Sequence, residues 1–382
     1  MNETLIYLDN NATTAVAPEC TAAMTECLQR HYGNPSSKHK AGEAAKEQTL
    51  KGRAQVAALL GASPAEIVFT SGGTESIHQA ILGALALSPG KRRIVTSLVE
   101  HPATLMVLDH LETQGVEIVR LGVDASGQLD LAELDAALTP ETALLTLMWA
   151  NNETGVLFPI EQAAVLTAAK GILFHCDAVQ AVGKLPIDLK QIPLDFLSLS
   201  GHKLHGPKGI GALFVRKGRK LPPLLFGHQE RGRRGSTENV PAIAGLGVAA
   251  ELAAAQLAAD GPRIAALRER LEQGLLGALP EASITGVEAP RVSGTTSLNL
   301  GGLEAEIVLD KLDRAGICAS AGAACSATGT EPSHVLIAMG LSPEAALSTI
   351  RFSLSRYTTQ AEIDRVLELL PALVRSALAE AA

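Results

Sequence analysis

Ser198-Leu199-Ser200-Gly201-His202-Lys203 runs out of a short apolar segment, 195–199, and ends on a lysine. In a strand, alternate side chains share a side, so Ser200 and His202 can both donate to a phosphate while Lys203 forms a Schiff base. An isolated lysine is far more often a solvated surface group, so its neighbours decide the reading. Upstream, Phe174-His175-Cys176-Asp177-Ala178-Val179-Gln180 leaves another apolar segment, 172–176. An Asp at a strand's carboxyl end either caps a helix or holds a heterocyclic nitrogen protonated. Gln180, three residues on, can reach a phenolic oxygen of the same ring. Further upstream, Thr70-Ser71-Gly72-Gly73-Thr74-Glu75 lies between a strand and a helix. Glycines such as Gly73 let the backbone approach an anion, the helix N-terminus supplies free N–H groups, and Thr74 adds a hydroxyl. The same pattern also suits an ordinary turn with an N-cap.

These segments belong to one alternating pattern. Strands are predicted at 66–70, 93–97, 117–121, 143–148, 172–176, 195–199 and 211–215, with amphipathic helices at 74–87, 102–114 and 160–170. Such alternation reads as an α/β fold with a mostly parallel, doubly wound sheet, whose ligands bind beyond the carboxyl ends of the strands. An Ala-rich helical region, 241–279, follows, and its Gly261-Pro262 pair predicts two helices there. Beyond it, strands at 297–300, 317–319 and 350–354 with helices at 304–315, 333–339 and 360–381 predict a second, smaller α+β domain. The expected division is 15–257 for the large domain, and 1–14 with 258–382 for the small one. The Gly/Ala/Ser-rich stretch 320–330 is the expected mobile loop.

Composition narrows the function. With 47% hydrophobic but only 3% aromatic residues, the core must be built from Ala, Leu, Val and Ile. A net charge of −8 argues against nucleic-acid binding, which calls for a basic stripe. No secretory signal segment and no uncharged run of membrane-spanning length occurs, so a soluble, cytoplasmic protein without a membrane partner is expected. The five cysteines, Cys20, Cys27, Cys176, Cys318 and Cys325, form no CxxC pair, and neither a disulfide framework nor a metal site is expected from them. Cys20 and Cys27 read as packing on one helix, Cys176 as structural, and Cys318 as a small buried hydrophobe.

A phosphate cradle, an acid for a pyridinium nitrogen and a lysine for an imine, each at a successive strand end, are what pyridoxal phosphate (PLP) requires. The chain also resembles the NifS-type cysteine desulfurases, class-V members of the fold type I (aspartate aminotransferase-like) PLP enzymes. The resemblance runs almost end to end. It is carried by Tyr7-Leu8-Asp9-Asn10-Asn11-Ala12-Thr13-Thr14, Ser71-Gly72-Gly73-Thr74-Glu75-Ser76, Glu100-His101-Pro102 and Asn151-Asn152-Glu153-Thr154-Gly155. It continues in Asp177-Ala178-Val179-Gln180, Ser200-Gly201-His202-Lys203, Ala324-Cys325-Ser326, Glu331-Pro332-Ser333-His334 and Ile350-Arg351-Phe352.

The resemblance implies an enzyme that converts L-cysteine to L-alanine and holds the sulfur as a persulfide on Cys325, for an iron–sulfur scaffold or other sulfur-acceptor protein. Lys203 would carry the cofactor and Asp177 would pair with its ring nitrogen. Gln180 and Asn152 would contact the ring oxygen and the substrate side. Thr74, Ser200 and His202 would hold the phosphate, and Thr237 would reach the phosphate of the partner subunit in a homodimer. His101 would stack on the ring and can move protons, and Arg351 would clamp the substrate carboxylate. Cys325 is also the one thiol that could ligate an iron–sulfur cluster transiently. Two segments, 148–160 and 227–234, most resemble the nitrogen-fixation members, with housekeeping desulfurases the alternative. A selenocysteine lyase or other PLP β-eliminase, and a non-catalytic subunit that docks a sulfur acceptor, are the competing readings. The family's usual Ser-Gly-Ser-Ala-Cys is here Ala321-Gly322-Ala323-Ala324-Cys325, and the usual Gly before the partner-reaching Thr is Ser236.

Overall fold

The computed structural model describes residues 5–322 and 331–381. Thirteen strands are numbered here in chain order, among the described residues: β1 (Ile6–Tyr7), β2 (Ile67–Thr70), β3 (Arg93–Ser97), β4 (Glu117–Leu121), β5 (Thr142–Met148), β6 (Leu173–Asp177), β7 (Phe196–Ser200), β8 (Gly211–Val215), β9 (Ser283–Ile284), β10 (Thr295–Asn299), β11 (Ile317–Cys318), β12 (Ser320–Ala321) and β13 (Thr349–Ser353). Seven of them form the large sheet, ordered β2-β8-β7-β6-β5-β3-β4. All are parallel except β8, which runs against both β2 and β7. Strands β5 to β8 are buried along their whole length, which is why they read as continuous apolar runs rather than alternating ones.

The register places the functional ends together. Met148 lies opposite Asp177, Asp177 opposite Ser198, and Ser200 opposite Gly211. Helices Gly73–Leu87, Pro102–Thr113 and Ile160–Lys170 follow β2, β3 and β5. Phe174, Phe214, Leu145 and Leu197 belong to one large core, while Ile81, Ile94, Leu108 and Phe196 fill another.

The region 241–279 is one helix, Val240–Ala278, and not the two expected from Gly261-Pro262. Pro262 is exposed, so the carbonyl of Ala258 that its ring leaves unpaired can be met by solvent, and the helix continues. By length and composition this helix could cross a membrane, but half of its most apolar stretch is buried inside the protein. It packs against helices Pro18–Arg30 and Lys40–Leu59 at one end and contributes Ile264, Leu267, Leu271 and Leu275 to a separate core at the other.

That second core also holds Leu8, Leu298, Ile350, Phe352, Ile363 and Leu370. It lies around a four-stranded sheet ordered β12-β13-β10-β9. Val335, Leu336 and Met339, although late in the chain, join the large core instead. The N-terminal segment links the two units. β1 pairs with β11, Asn10 N donates to Ser353 O (3.2 Å), and Thr14 N donates to His202 O (3.0 Å).

Candidate active site

The site is assembled first by strand ends. Asp177 closes β6 and is 6% exposed, with its Oδ1 accepting from Val179 N (3.0 Å). Burial pushes its carboxyl up to about 6, while the Val179 amide and Lys203 pull the other way. Ser200 closes β7, and a single 3-10 turn, Gly201–Lys203, then carries His202 and Lys203. Lys203 Nζ donates to the backbone carbonyls of Asn11 and Ala12, the latter at 2.8 Å.

Across from them the helix Gly73–Leu87 starts directly after the β2 turn. A Cβ at Gly73 would come within 2.9 Å of Val179 Cγ2, so only glycine allows the helix end this close to the turn after Asp177. Ser71 N donates to Glu75 Oε2 (2.8 Å), and Glu75 pairs with Arg234 (2.9 Å), which steadies the first turn.

His101 is at once a helix cap and a wall of the cavity. Its Nδ1 accepts from Ala103 N (3.1 Å). Burial, Lys203 and His334 push its pKa down to about 4, so the ring is neutral near pH 7. With Nδ1 accepting, the ring proton sits on Nε2. The next-door Glu100 is fully buried. Its Oε1 accepts from Ser97 Oγ (2.7 Å) and Met148 N (3.1 Å), and burial pushes it up to about 8.

The opposite wall comes from distant segments. Arg351, in β13, is 2% exposed. It pairs with Asp9 Oδ1 (2.7 Å) and donates to Asn152 O (3.2 Å), while its buried Nε has no hydrogen-bond partner among the described residues. Asn151 Oδ1 accepts from the amides of Glu153 (2.9 Å) and Thr154 (3.0 Å), a local turn that presents Asn152 to the cavity. Asn11 ties these pieces together: its Nδ2 donates to Asn152 O (3.0 Å) and Thr295 Oγ1 (2.9 Å), and its carbonyl accepts from Gln180 Nε2 (3.0 Å).

Gly73, Thr74, His101, Asn152, Asp177, Gln180, Ser200, His202, Lys203 and Arg351 line one cavity of about 380 Å³. Gly73, Thr74, Ser200 and His202 also line a second, more open cavity, together with Gly72 and Lys208. The donor set fits PLP. Backbone and hydroxyl donors stand at one end for a phosphate, a buried carboxylate serves a ring nitrogen, and a lysine amine lies within the same walls. Arg351 stands on the wall of the same cavity, and its guanidinium would suit a carboxylate of the substrate.

Other expectations divide. Thr237 is exposed and not on the wall of its own chain's cavity, and Ser236 before it adopts φ +94°, a conformation that favours glycine. Cys325 lies outside the described residues. The chain on either side of that segment meets at Glu153: Ser333 Oγ donates to its Oε2 (2.5 Å), and a Cβ at Gly322 would lie 2.7 Å from the same atom. Cys20, Cys27 and Cys176 are buried, but Cys318, expected to be buried, is only half-buried, because the two-stranded β1-β11 pair to which it belongs lies outside both main sheets. Burial, Asp313 and Asp9 raise the pKa of its thiol, which opposes a nucleophilic thiolate there. His78 packs its Nε2 against Ala103 O (3.0 Å), a helix-to-helix contact.

Sequence reasoning assigned no role to Asp9, Asn11, Lys184, Glu100 or Glu153. Asp9 and Asn11 could have been found in the polar Asp9-Asn10-Asn11 cluster, an unusual sequel to an apolar strand, and Lys184 by its spacing of four from Gln180. Glu100 and Glu153 carry no signal that separates them from surface acids.

Comparison with known proteins agrees with this geometry. The aminotransferase class-V family matches residues 6–366. A protein named cysteine desulfurase 2 from Trichormus variabilis is 54% identical over 97% of this chain and 93% of its own length. The cysteine desulfurase NifS of Azotobacter vinelandii is 49% identical over 97% of this chain and 92% of its own. A solved structure described as a NifS-like protein superposes with a TM-score of 0.91 at 35% identity, covering 98% of this chain and all of that one. The chain belongs to the aminotransferase class-V family and, within it, to the PLP-dependent cysteine desulfurases of the NifS type.

Proposed function

We propose that this enzyme takes the sulfur from free L-cysteine, releases L-alanine, and leaves the sulfur as a persulfide on Cys325 for delivery to iron–sulfur cluster assembly. The observation that carries this reading is the convergence of Lys203, Asp177 and Arg351 on one cavity in a chain of this family. PLP bound there withdraws electrons from the substrate's Cα, which is what makes that proton removable.

The chain's own groups do the rest. Gly73, Thr74, Ser200 and His202 hold the phosphate, and Asp177 keeps the ring nitrogen protonated. Lys203 would hold the cofactor and, with its Nζ free, would serve as the base for the Cα proton. Arg351 leaves part of its guanidinium to the substrate carboxylate, a planar match that a lysine cannot make. His101, a neutral imidazole near pH 7 on the cavity wall, would stand against the ring. The Cys325 thiolate then attacks the substrate's sulfur: an S–S bond forms and the Cβ–S bond breaks. The electron pair stays with the carbon fragment, which takes up protons to become alanine. Cysteine and one enzyme thiol thus give alanine and one persulfide, with no outside oxidant.

The test is Cys325→Ala incubated with L-cysteine. Loss of alanine release with the cofactor absorbance retained supports the scheme, and unchanged desulfuration refutes it. We further propose a homodimer, because Thr237 is exposed and away from its own cavity, where it is free to approach a partner's phosphate. We also read the enzyme as cytoplasmic, in keeping with the free thiols of Cys20, Cys27 and Cys176. Supply of nitrogenase clusters is the finer reading, resting on the likeness of 148–160 and 227–234 to nitrogen-fixation members.

A further inference from the structure

A second lysine stands at the site. Lys184 Nζ donates to Gln180 Oε1 (2.7 Å) and to Asn11 Oδ1 (3.0 Å). The chain is bent to bring it there: Gly183 adopts φ +74°, and a Cβ on it would come within 2.5 Å of Leu204 Cδ2. Lys184 therefore returns, four residues after Gln180, to the side of the amide that faces away from the cavity.

An ammonium group has three donors and no acceptor. Its presence decides which end of the Gln180 amide is which. The atom towards Lys184 must be the carbonyl oxygen, so the NH2 group faces Asn11 O (3.0 Å) and the cavity that Gln180 lines. One amide hydrogen goes to Asn11 O and the second remains for a ligand. Asn11 O also accepts from Lys203 Nζ, so the two lysines are linked through the Gln180 amide and this carbonyl.

We infer that Lys184 is a positioning residue that locks the Gln180 amide with its NH2, and not its carbonyl, towards the ring oxygen of the cofactor. The inference rests on the proposed placement of Gln180 against that oxygen. Burial, with Lys203 and Arg351 nearby, pushes the Lys184 ammonium down to about 7, so the donor-only form is complete on the acid side of neutrality.

A donor on the ring oxygen stabilises its anionic form, and so lowers the pKa of the linkage between Lys203 and the cofactor. That pKa is read from the absorbance of the holoenzyme titrated without substrate, independently of turnover. Lys184→Met frees the amide to turn, and is expected to raise the value by about one unit, the size of one charge-assisted hydrogen bond. Removing a positive charge would act in the same direction without Gln180, so the deciding measurement is a double-mutant cycle with Gln180→Leu. If Lys184 works through the amide, Lys184→Met shifts the value by less than half as much in the Gln180→Leu background. An equal shift in both backgrounds is a direct charge effect and overturns the inference. If Gln180→Leu alone leaves the value in place, the placement of Gln180 itself fails and the inference falls with it. Should Lys184→Met not fold, Lys184→Arg is taken through the same cycle. As another donor-only cation it must leave the parent value unchanged, and a shift of about one full unit overturns the inference.

Discussion

The two walls of the cavity are made in different ways. One wall is the carboxyl edge of the large sheet, where β6 ends on Asp177 and the adjacent β7 on Ser200, with Lys203 one turn on. Main-chain ladders fix these positions, and the side chains follow from them. The other wall is a web of side-chain contacts between segments far apart in the chain: Asp9 with Arg351, Asn11 with Asn152 and Thr295, and Ser333 with Glu153. On the proposed reading, the regular wall would hold the chemistry and the irregular wall the substrate. A local change in the first should cost rate, and one in the second should cost binding and stability.

The largest effect tests the regular wall. Lys203→Ala is expected to lower alanine release by about 10³-fold or more, the span of a lost general base, with the far-ultraviolet circular dichroism unchanged. On the other wall, Arg351→Lys keeps the charge but loses the planar fork. The KM for L-cysteine should rise by about ten- to a hundredfold, more than kcat falls. Should Arg351→Lys lower kcat alone, the division between the walls is wrong.

Asp9→Asn removes the partner of a guanidinium whose side chain is 3% exposed. Stability should fall by up to about 3 kcal/mol, the lower end of what breaking a buried pair costs, seen as a lower denaturant midpoint of the holoenzyme.

A further effect is a pH slope behind the regular wall. Burial pushes Glu100 from an ordinary 4.5 up to about 8, so the folded protein keeps a proton that the unfolded chain gives up. The stabilisation is complete below about 4.5 and is lost as pH rises through about 8, at up to about 1.4 kcal/mol per pH unit. Glu100→Gln should remove that slope from the variant, so the stability difference between variant and parent should change with pH across this window. A difference that stays constant from acid to alkaline pH would mean that Glu100 is ionised in the folded state.

The same contrast explains what could be read in advance. The seven strands of the large sheet were legible to within a residue because most of them, β4 excepted, are buried along nearly their whole length, and the apolar runs before Asp177 and Lys203 mark their own ends. The roles of Asp9 and Asn11 were not, since they depend on contacts with Arg351 and Thr295 across some three hundred residues of chain, and no periodicity encodes such a pairing. Gly261-Pro262 misled because a proline ends a helix only where its lost hydrogen bond cannot be replaced, and here the position faces solvent. Lys184 escaped notice because a lysine in a turn looks like a surface residue until the turn is seen to fold back on Gln180.

Lys184 also bears on the most direct test, because a second lysine lies behind the cavity wall, against Gln180, while Lys203 follows the β7 edge into the cavity. Borohydride reduction of the holoenzyme followed by peptide mass mapping fixes the cofactor to the amine that holds it. The account predicts a reduced pyridoxyl group on the peptide containing Lys203. The same group on the peptide containing Lys184, or on any other lysine, would contradict it.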